Sequence, residues 1–255
     1  MEDVQGCIHE AQNIVVKIGT KSLLLDDSSF DFKIIASLVQ DIKILVRNKG
    51  KRVVLVTSGA VSAGMRKLEM DERPRDLVLQ QVAASVGNPL LMNEYIRMFG
   101  DMPVAQILLT QQALSDRVTY NHFSNTMDRL LRMKIVPIVN ENDVISIDEL
   151  VDTRYGEKHT EYNFSDNDVL SALVAASINA DLLVILSDVD GLYTNHPDSN
   201  EAEFIPVVNA VTEDIIKMGK DGSKLGRGGM QTKLKAAQIC SMAGVWMVIA
   251  DAKKV

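Results

Sequence analysis

Six short runs of β-branched and aliphatic residues alternate with segments of helical periodicity, and this alternation limits the fold more than any other feature. The apolar runs cover residues 14–18, 53–57, 104–109, 135–139, 182–186 and 245–249. Helical periodicity follows over 32–50, 77–100, 116–134 and 230–244, and another buried helix starts near Asp166. Continuously apolar runs are typical of strands that are covered on both faces. We therefore predict an α/β fold, a three-layer αβα sandwich with a largely parallel central sheet.

Composition excludes several classes of protein. The chain has 255 residues and a net charge of −7, and no stretch clusters Lys and Arg with aromatic residues, so we expect no nucleic-acid partner. No apolar run reaches the roughly 20 residues that cross a membrane. Cys7 and Cys240 match no metal or redox spacing, and the four histidines are scattered, which argues against a protein-held metal. We expect a single cytoplasmic domain over residues 1–255.

Small and acidic residues follow almost every predicted strand. They include Gly19 after the first run, the segment 57–64 after the second, 140–146 after the fourth and 187–194 after the fifth. In a parallel sheet, ligands bind beyond the carboxyl ends of the strands. The sequence therefore predicts a ligand site at that edge of the sheet.

Lys17 lies inside the first apolar run, next to Gly19. A lysine at the carboxyl end of a central strand would lie in the ligand crevice. Phosphate is the expected ligand there, and Gly19 lets backbone amides approach it. The alternative interpretation of this segment is an edge strand on which the Lys17 ammonium group is solvated.

Two glycine-containing loops have the composition of anion sites. Ser58, Gly59 and Ala60 form a small-residue turn from strand to helix, which fits either exposed amides facing an anion or close packing. The loop 219–229 precedes a helix whose first turn carries Thr232 and Lys233. It matches neither the P-loop nor the dinucleotide spacing, but a flexible backbone, a helix start and nearby cations suit phosphate. A plain surface loop is the alternative.

Asp166, Asn167 and Asp168 stand in a row at the start of an apolar helix. One such residue would cap the helix, and acidic residues suit its dipole. Three in succession also fit a site for a metal, an ammonium group or lysines. The residues by themselves leave both interpretations open.

Taken together, the motifs resemble those of the amino acid kinase family, and in particular of its glutamate 5-kinases. They are "VVKIGTKSL", "VLVTSGAVSAGM", "QILLT", "IVPIVNENDVIS", "FSDNDVLSALVA", "LVILSDVDGLYTNHP" and "GRGGMQTKLKAA", in the order found there, from about residue 13 to 250. The resemblance implies transfer of the ATP γ-phosphoryl group to the side-chain carboxylate of L-glutamate, the first step towards proline. Another member of the family, or a silent nucleotide- or amino-acid-binding module, is the alternative.

The resemblance also implies roles for individual residues. The catalytic residues would be Lys17, Lys233 and Asp168, with the two lysines flanking the transferred group and Asp168 holding both in position. Contacts to glutamate would come from Ser58, Gly59, Ala60, Asn140, Asp143, Asp166 and Asn167. Contacts to the nucleotide would come from Lys17, Gly19, Ser187, Asp188, Arg227, Gly228, Gly229, Met230, Gln231, Thr232 and Lys233.

Further expectations concern cofactors and partners. Mg²⁺ would travel with ATP, proline would act as a feedback inhibitor, and a glutamyl phosphate reductase and a homo-oligomer are expected. Ser165 and Arg227 stand where family members usually have glycine and threonine. Many members add a small RNA-binding-type (PUA) domain after the kinase domain, and we expect none in residues 1–255.

Overall fold

The computed structural model describes residues 2–25, 29–146, 167–195, 199, 201–218 and 229–254, and the predicted alternation is present in them. The strands are β1 (Asn13–Ile18), β2 (Arg52–Val56), β3 (Val104–Leu109), β4 (Val136–Glu141), β5 (Leu182–Ser187), β6 (Leu192–Tyr193), β7 (Phe204–Ile205) and β8 (Trp246–Asp251). The helices are α1 (Glu2–Glu10), α2 (Thr20–Leu23), α3 (Phe32–Asn48), α4 (Ala60–Lys67), α5 (Leu77–Phe99), α6 (Gln111–Ser115), α7 (Arg117–Arg132), α8 (Asn167–Ser177), α9 (Glu213–Met218) and α10 (Met230–Ala243). A short 3₁₀ turn, Ala252–Lys254, follows β8.

The central sheet has six strands in the order β3-β4-β2-β1-β5-β8, and every pairing in it is parallel. Strands β6 and β7 form a separate antiparallel pair. Lys17 of β1 is paired with Val56 on one side and Ile185 on the other. Lys17 is therefore on an interior strand, and the edge-strand interpretation of this lysine is wrong.

Alternate residues of the strands pack against two different helical layers. Ile14, Val16 and Ile18 of β1 belong to a core that includes the buried faces of α3 and α5. Val15 belongs to a second core with residues of α7, α8 and α10. This alternation follows from the two-residue period of a strand, and it confirms the predicted three-layer αβα sandwich. The same period directs Lys17 to the face of the sheet that α8 covers.

Helices α4 and α5 cross at backbone contact. A Cβ atom added to Gly64 would lie 1.7 Å from the carbonyl oxygen of Ala83, and one added to Gly87 would lie 1.7 Å from that of Ala60. Neither glycine has room for a side chain. Because Ala60 is the first residue of α4, the contact with Gly87 sets the position of the helix start that follows β2.

Within the described parts of the chain, no helix combines the length and the apolar character needed to cross a membrane. The expectation of one domain over residues 1–255 stays a prediction.

We expect Gly87→Ala to lower the free energy of unfolding by about 1–3 kcal/mol or more, because the added methyl group must push α4 away from α5. Gly6→Ala is the matched control, since nothing lies within 4 Å of a Cβ at that position in α1 and alanine favours a helix. Chemical denaturation of both variants measures the effect. Equal stability of the two variants would contradict the close approach.

Candidate active site

The polar residues predicted from the sequence lie at the carboxyl end of the central sheet. Lys17 is near the end of β1, Asn140 is near the end of β4, and Ser58 follows β2. Helices α8 and α10 begin with Asn167 and Met230 and bring their first turns to the same region. Segments far apart in sequence therefore meet where parallel strands end, which is the usual position of a ligand site in such a sheet.

Asp168 lies between two lysines at the centre of this region. Its Oδ1 atom is 2.5 Å from Lys17 Nζ, and its Oδ2 atom is 3.1 Å from Lys233 Nζ. The Thr232 hydroxyl also donates to Oδ2, at 3.0 Å. The side chain of Asp168 is 0% exposed, and those of the two lysines are 7% and 6% exposed. One carboxylate thus holds two buried ammonium groups, and this cluster carries a net charge of +1.

Two glycines lie where strands β1 and β2 end. A Cβ atom at Gly19 would lie 3.4 Å from Lys17 Nζ, so Gly19 brings the backbone close to the ammonium group. Gly59 has φ of 97°, a left-handed conformation that glycine adopts without strain, and it turns the chain from β2 into α4. Both glycines therefore keep backbone, and no side chain, at the mouth of the site.

The charge state of Asp168 follows from its neighbours. Burial raises the pKa of this carboxyl group, but Lys17 and Lys233 oppose burial through their charges and hydrogen bonds and hold the pKa below its usual value. Asp168 is therefore ionised at neutral pH and is an acceptor only. It suits the orientation of cations and does not suit proton donation.

A cluster of side-chain amides lies beside the charged cluster. Asn167 Nδ2 donates to the carbonyl oxygen of Thr57 at 2.6 Å, contacts Ser58 Oγ at 2.7 Å and donates to Asn140 Oδ1 at 3.0 Å. Asn167 Oδ1 is buried and has no hydrogen-bond partner among the described residues. A buried acceptor without a partner is costly, so this atom is suited to a donor from a ligand.

Some residues of the site were not singled out in the sequence. Asn88 of α5 accepts from Asn140 Nδ2 at 2.9 Å, and the hydroxyl groups of Tyr95 and Thr57 are 2.8 Å apart. Burial raises the pKa of Tyr95, although its hydrogen bond to Thr57 opposes this, so the phenol stays protonated. The sequence shows only an asparagine between Gly87 and Pro89 in the middle of a helix, and this pattern does not indicate which residue Asn88 contacts.

Ser187 and Asp188 lie at the end of β5. The buried Ser187 hydroxyl donates to Asp188 Oδ1 at 3.0 Å, and Lys21 Nζ is 3.3 Å from Asp188 Oδ2. Burial raises the pKa of Asp188, but Lys21 and the Ser187 hydroxyl outweigh burial and leave the pKa below its usual value. The pair with Lys21 is more than half exposed and is therefore weak.

The remaining predicted residues fall into two groups. Asp143 lies in the turn after β4, and Gly229, Met230 and Gln231 lie at the start of α10. Asp166, Arg227 and Gly228 lie outside the described residues, as do most of the segment 144–164 and of the loop 219–229. Ligand contacts by all these residues stay predictions.

The described residues contain no group of three His, Cys, Asp or Glu side chains that could hold a metal ion. The central carboxylate, Asp168, already faces two ammonium groups. This donor set fits a Mg²⁺ ion that is bound mainly by the phosphates of a nucleotide.

The model of the amino acid kinase family matches residues 12–251. The chain belongs to the amino acid kinase family. Glutamate 5-kinase from Methanosarcina acetivorans is 40% identical over 99% of this chain and 66% of its own length. Glutamate 5-kinase from Clostridium perfringens is 40% identical over 97% of this chain and 90% of its own length. The chain thus spans just under two thirds of the first relative and most of the second.

Solved structures show the same fold at low sequence identity. Carbamate kinase from Giardia lamblia bound to AMP-PNP superposes with a TM-score of 0.61 at 14% identity, covering 96% of this chain and 95% of that chain. This similarity supports the amino acid kinase fold and does not distinguish substrates.

We expect Asp168→Asn to lower the free energy of unfolding at pH 7 by about 3 kcal/mol or more, because two buried ammonium groups lose their counter-charge. The folded-state pKa of Asp168 lies below the unfolded value of about 3.9, so the carboxylate stabilises fully above that pH. The stabilisation is lost as the pH falls from there through the folded-state pKa. Urea denaturation of both proteins from pH 7 to pH 3 should show a constant difference that shrinks below about pH 4.

Asp41→Asn is the control for this series, since Asp41 is exposed on α3. It should match the original protein throughout. A difference for Asp168→Asn that is absent at pH 7, or that stays constant through pH 3, would contradict the assigned charge cluster.

Proposed function

We propose that this chain transfers the γ-phosphoryl group of ATP to the side-chain carboxylate of L-glutamate, giving ADP and L-glutamyl 5-phosphate, the first step of proline biosynthesis. The observation that carries the proposal is the buried Asp168 with one lysine on each carboxylate oxygen. The relatives named glutamate 5-kinase support the choice of acceptor.

The two lysines suit the charge demand of phosphoryl transfer. An acceptor carboxylate oxygen forms a bond to the γ-phosphorus while the bond from that phosphorus to the β,γ-bridging oxygen breaks, and ADP leaves with the electron pair. The acceptor is already an anion, so no base is needed to remove a proton. Catalysis then rests on positioning and charge neutralisation, for which Lys17 and Lys233 are the buried cations among the described residues.

Asp168 acts on the reaction through the lysines. Long lysine side chains lose conformational entropy when they are fixed, and a shared carboxylate fixes both before substrate arrives. The three groups Lys17, Lys233 and Asp168 together carry one net positive charge, which favours binding of phosphate. We therefore assign Asp168 as a positioning residue.

The amide cluster suits the amino-acid end of glutamate. Asn167 Oδ1 offers a buried acceptor to the substrate ammonium group. Ser58, with the turn through Gly59 and Ala60, lies beside Asn167. We propose that these residues, together with Asn140, Asp143 and Asp166, bind glutamate.

The nucleotide contacts form a second part of the proposal. Gly19, Ser187 and Asp188 lie at the carboxyl ends of β1 and β5. Lys17 lies at this same end of the sheet. The segment from Arg227 to Lys233 leads into α10, where Thr232 and Lys233 contact Asp168. Mg²⁺, bound with ATP, would supply further neutralisation of phosphate charge.

The proposed activity is tested by measuring ADP formation with ATP, Mg²⁺ and L-glutamate, with hydroxylamine present to trap the acyl phosphate as a hydroxamate. We expect both products to depend on glutamate. N-acetylglutamate, carbamate and UMP serve as competing acceptors for other members of the family. ADP formation with one of these acceptors and none with glutamate would overturn the proposal, and no ADP with any acceptor would favour a silent binding module.

We expect Lys17→Met and Lys233→Met each to lower kcat by about a hundredfold or more, because each removes charge stabilisation in the transition state. The glutamate KM should rise much less, since the amide cluster is intact. Lys33→Met is the matched control, because Lys33 is exposed at the start of α3. Near-normal kcat in a folded Lys17 or Lys233 variant would refute the assigned role.

Proline is the proposed feedback inhibitor. It shares a carboxylate and a cationic amine with glutamate but offers no side-chain carboxylate to phosphorylate. We expect inhibition that is competitive with glutamate and not with ATP, measured from initial rates at several proline concentrations. Inhibition that persists unchanged at high glutamate would rule out a shared site. A homo-oligomer, a partner glutamyl phosphate reductase and a cytoplasmic location complete the proposal and stay predictions.

A further inference from the structure

A line of hydrogen-bonded amides runs from the middle of α5 to the candidate amino-acid site. Asn140 Nδ2 donates to Asn88 Oδ1 at 2.9 Å, and Asn167 Nδ2 donates to Asn140 Oδ1 at 3.0 Å. Asn88 and Asn140 are 7% and 6% exposed, so water does not readily replace these bonds. The line ends at the buried Asn167 Oδ1.

Two backbone groups fix the direction of this line. The N–H group of Glu141 donates to Asn140 Oδ1 at 2.9 Å, which leaves Asn140 Nδ2 to face Asn88. The carbonyl oxygen of Thr57 can only accept, so the Asn167 atom that faces it is Nδ2. Asn167 Oδ1 must then point away from both partners, and it has none within the described part of the chain.

Asn88 Oδ1 is the acceptor for Asn140 Nδ2, at the α5 end of this line. Without Asn88 Oδ1, the buried Nδ2 of Asn140 would lose its partner, and an unsatisfied buried donor favours rotation of the amide. A rotated Asn140 would present Nδ2 to Asn167 Nδ2, two donors facing each other. The Asn167 amide would then lose one of the contacts that direct its Oδ1 atom, and it would keep those to the Thr57 carbonyl oxygen and to Ser58 Oγ.

The backbone of α5 holds Asn88 in place. Gly87, the preceding residue, is in contact with the Ala60 carbonyl oxygen at the start of α4. Tyr95, two turns further along α5, is 2.8 Å from Thr57 at its hydroxyl group. Helix α5 thus contacts three elements that border the candidate site. Gly87 contacts α4, Asn88 contacts β4, and Tyr95 contacts Thr57, which follows β2.

We infer that Asn88 is a positioning residue for the amino-acid substrate, which directs Asn167 Oδ1 towards the substrate ammonium group through Asn140. This inference rests on the proposed function for the identity of the substrate. The hydrogen bond of Asn88 leads to Asn140 and the amide cluster, whereas the lysines are held by Asp168, so the effect of Asn88 should concern substrate binding and not phosphoryl transfer.

The test compares variants that remove or keep the acceptor at position 88. Asn88→Leu keeps the branched shape of the side chain and removes the acceptor, Asn88→Ala removes the acceptor without adding bulk, and Asn88→Asp keeps the acceptor. We expect the glutamate KM to rise about tenfold in the Leu and Ala variants, the cost of one buried hydrogen bond. The ATP KM should be unchanged, kcat at saturating glutamate should be nearly unchanged, and the Asp variant should retain much of the original glutamate affinity.

Asn93→Leu is the matched control, because Asn93 is an exposed asparagine on the same helix. It should leave every kinetic constant unchanged. Equal changes in the glutamate and ATP KM values of the Asn88→Leu and Asn88→Ala variants, or no change in either, would overturn the inference. So would an Asn88→Asp variant as impaired as Asn88→Leu.

A second measurement does not depend on activity. Crystal structures of Asn88→Ala and Asn88→Asp should show the Asn140 amide rotated away from Asn167 in the first and in place in the second. An undisturbed Asn140–Asn167 contact in Asn88→Ala would overturn the inference even if the chain proves to act on another substrate. Absence of glutamate turnover in the unaltered protein, together with the expected rotation, would contradict only the proposed function.

Discussion

The ion pairs of Asp168 are the interaction on which the rest of the site depends. A fully buried carboxylate joins β1, the start of α8 and the start of α10 through Lys17, Lys233 and Thr232. Removing a charge from water is costly, and the opposite charges at both oxygens offset much of that cost. The fold therefore brings two cations to one point at the end of the sheet. Such an arrangement is poor as a source of stability and well suited to an anionic ligand.

The site has two parts that rest on different elements. The charged part joins the centre of the sheet to the helices α8 and α10. The amide part joins β2, β4 and α5, and its position depends on the close approach of α4 and α5 at Gly64 and Gly87. Adjacent residues of α8, Asn167 and Asp168, connect the two parts. In the proposed reaction, this adjacency would let one helix start align an amino acid with a phosphoryl group.

Much of the fold could be predicted from the sequence, because the six central strands and the long helices each carry a local apolar or periodic pattern. All six central strands and the long helices appear within a few residues of the predicted bounds. Whether Lys17 is central or at an edge depended on strand order, which periodicity does not encode. The acidic row at the start of α8 left capping and binding open. The structure shows that Asn167 and Asp168 engage tertiary partners, while Asp166 lies outside the described residues. A role for Asn88 could not be predicted, because its hydrogen-bond partner Asn140 is 52 residues away in the sequence.

The most direct test is a crystal structure with ADP, Mg²⁺, aluminium fluoride and L-glutamate, which together imitate the transferred phosphoryl group between donor and acceptor. The account predicts the fluoride group within hydrogen-bond distance, about 3 Å, of Nζ of both Lys17 and Lys233, with Asp168 still holding the two lysines. It also predicts the glutamate ammonium group at Asn167 Oδ1. A fluoride group bound away from both lysines, or a glutamate bound away from the amide cluster, would contradict it.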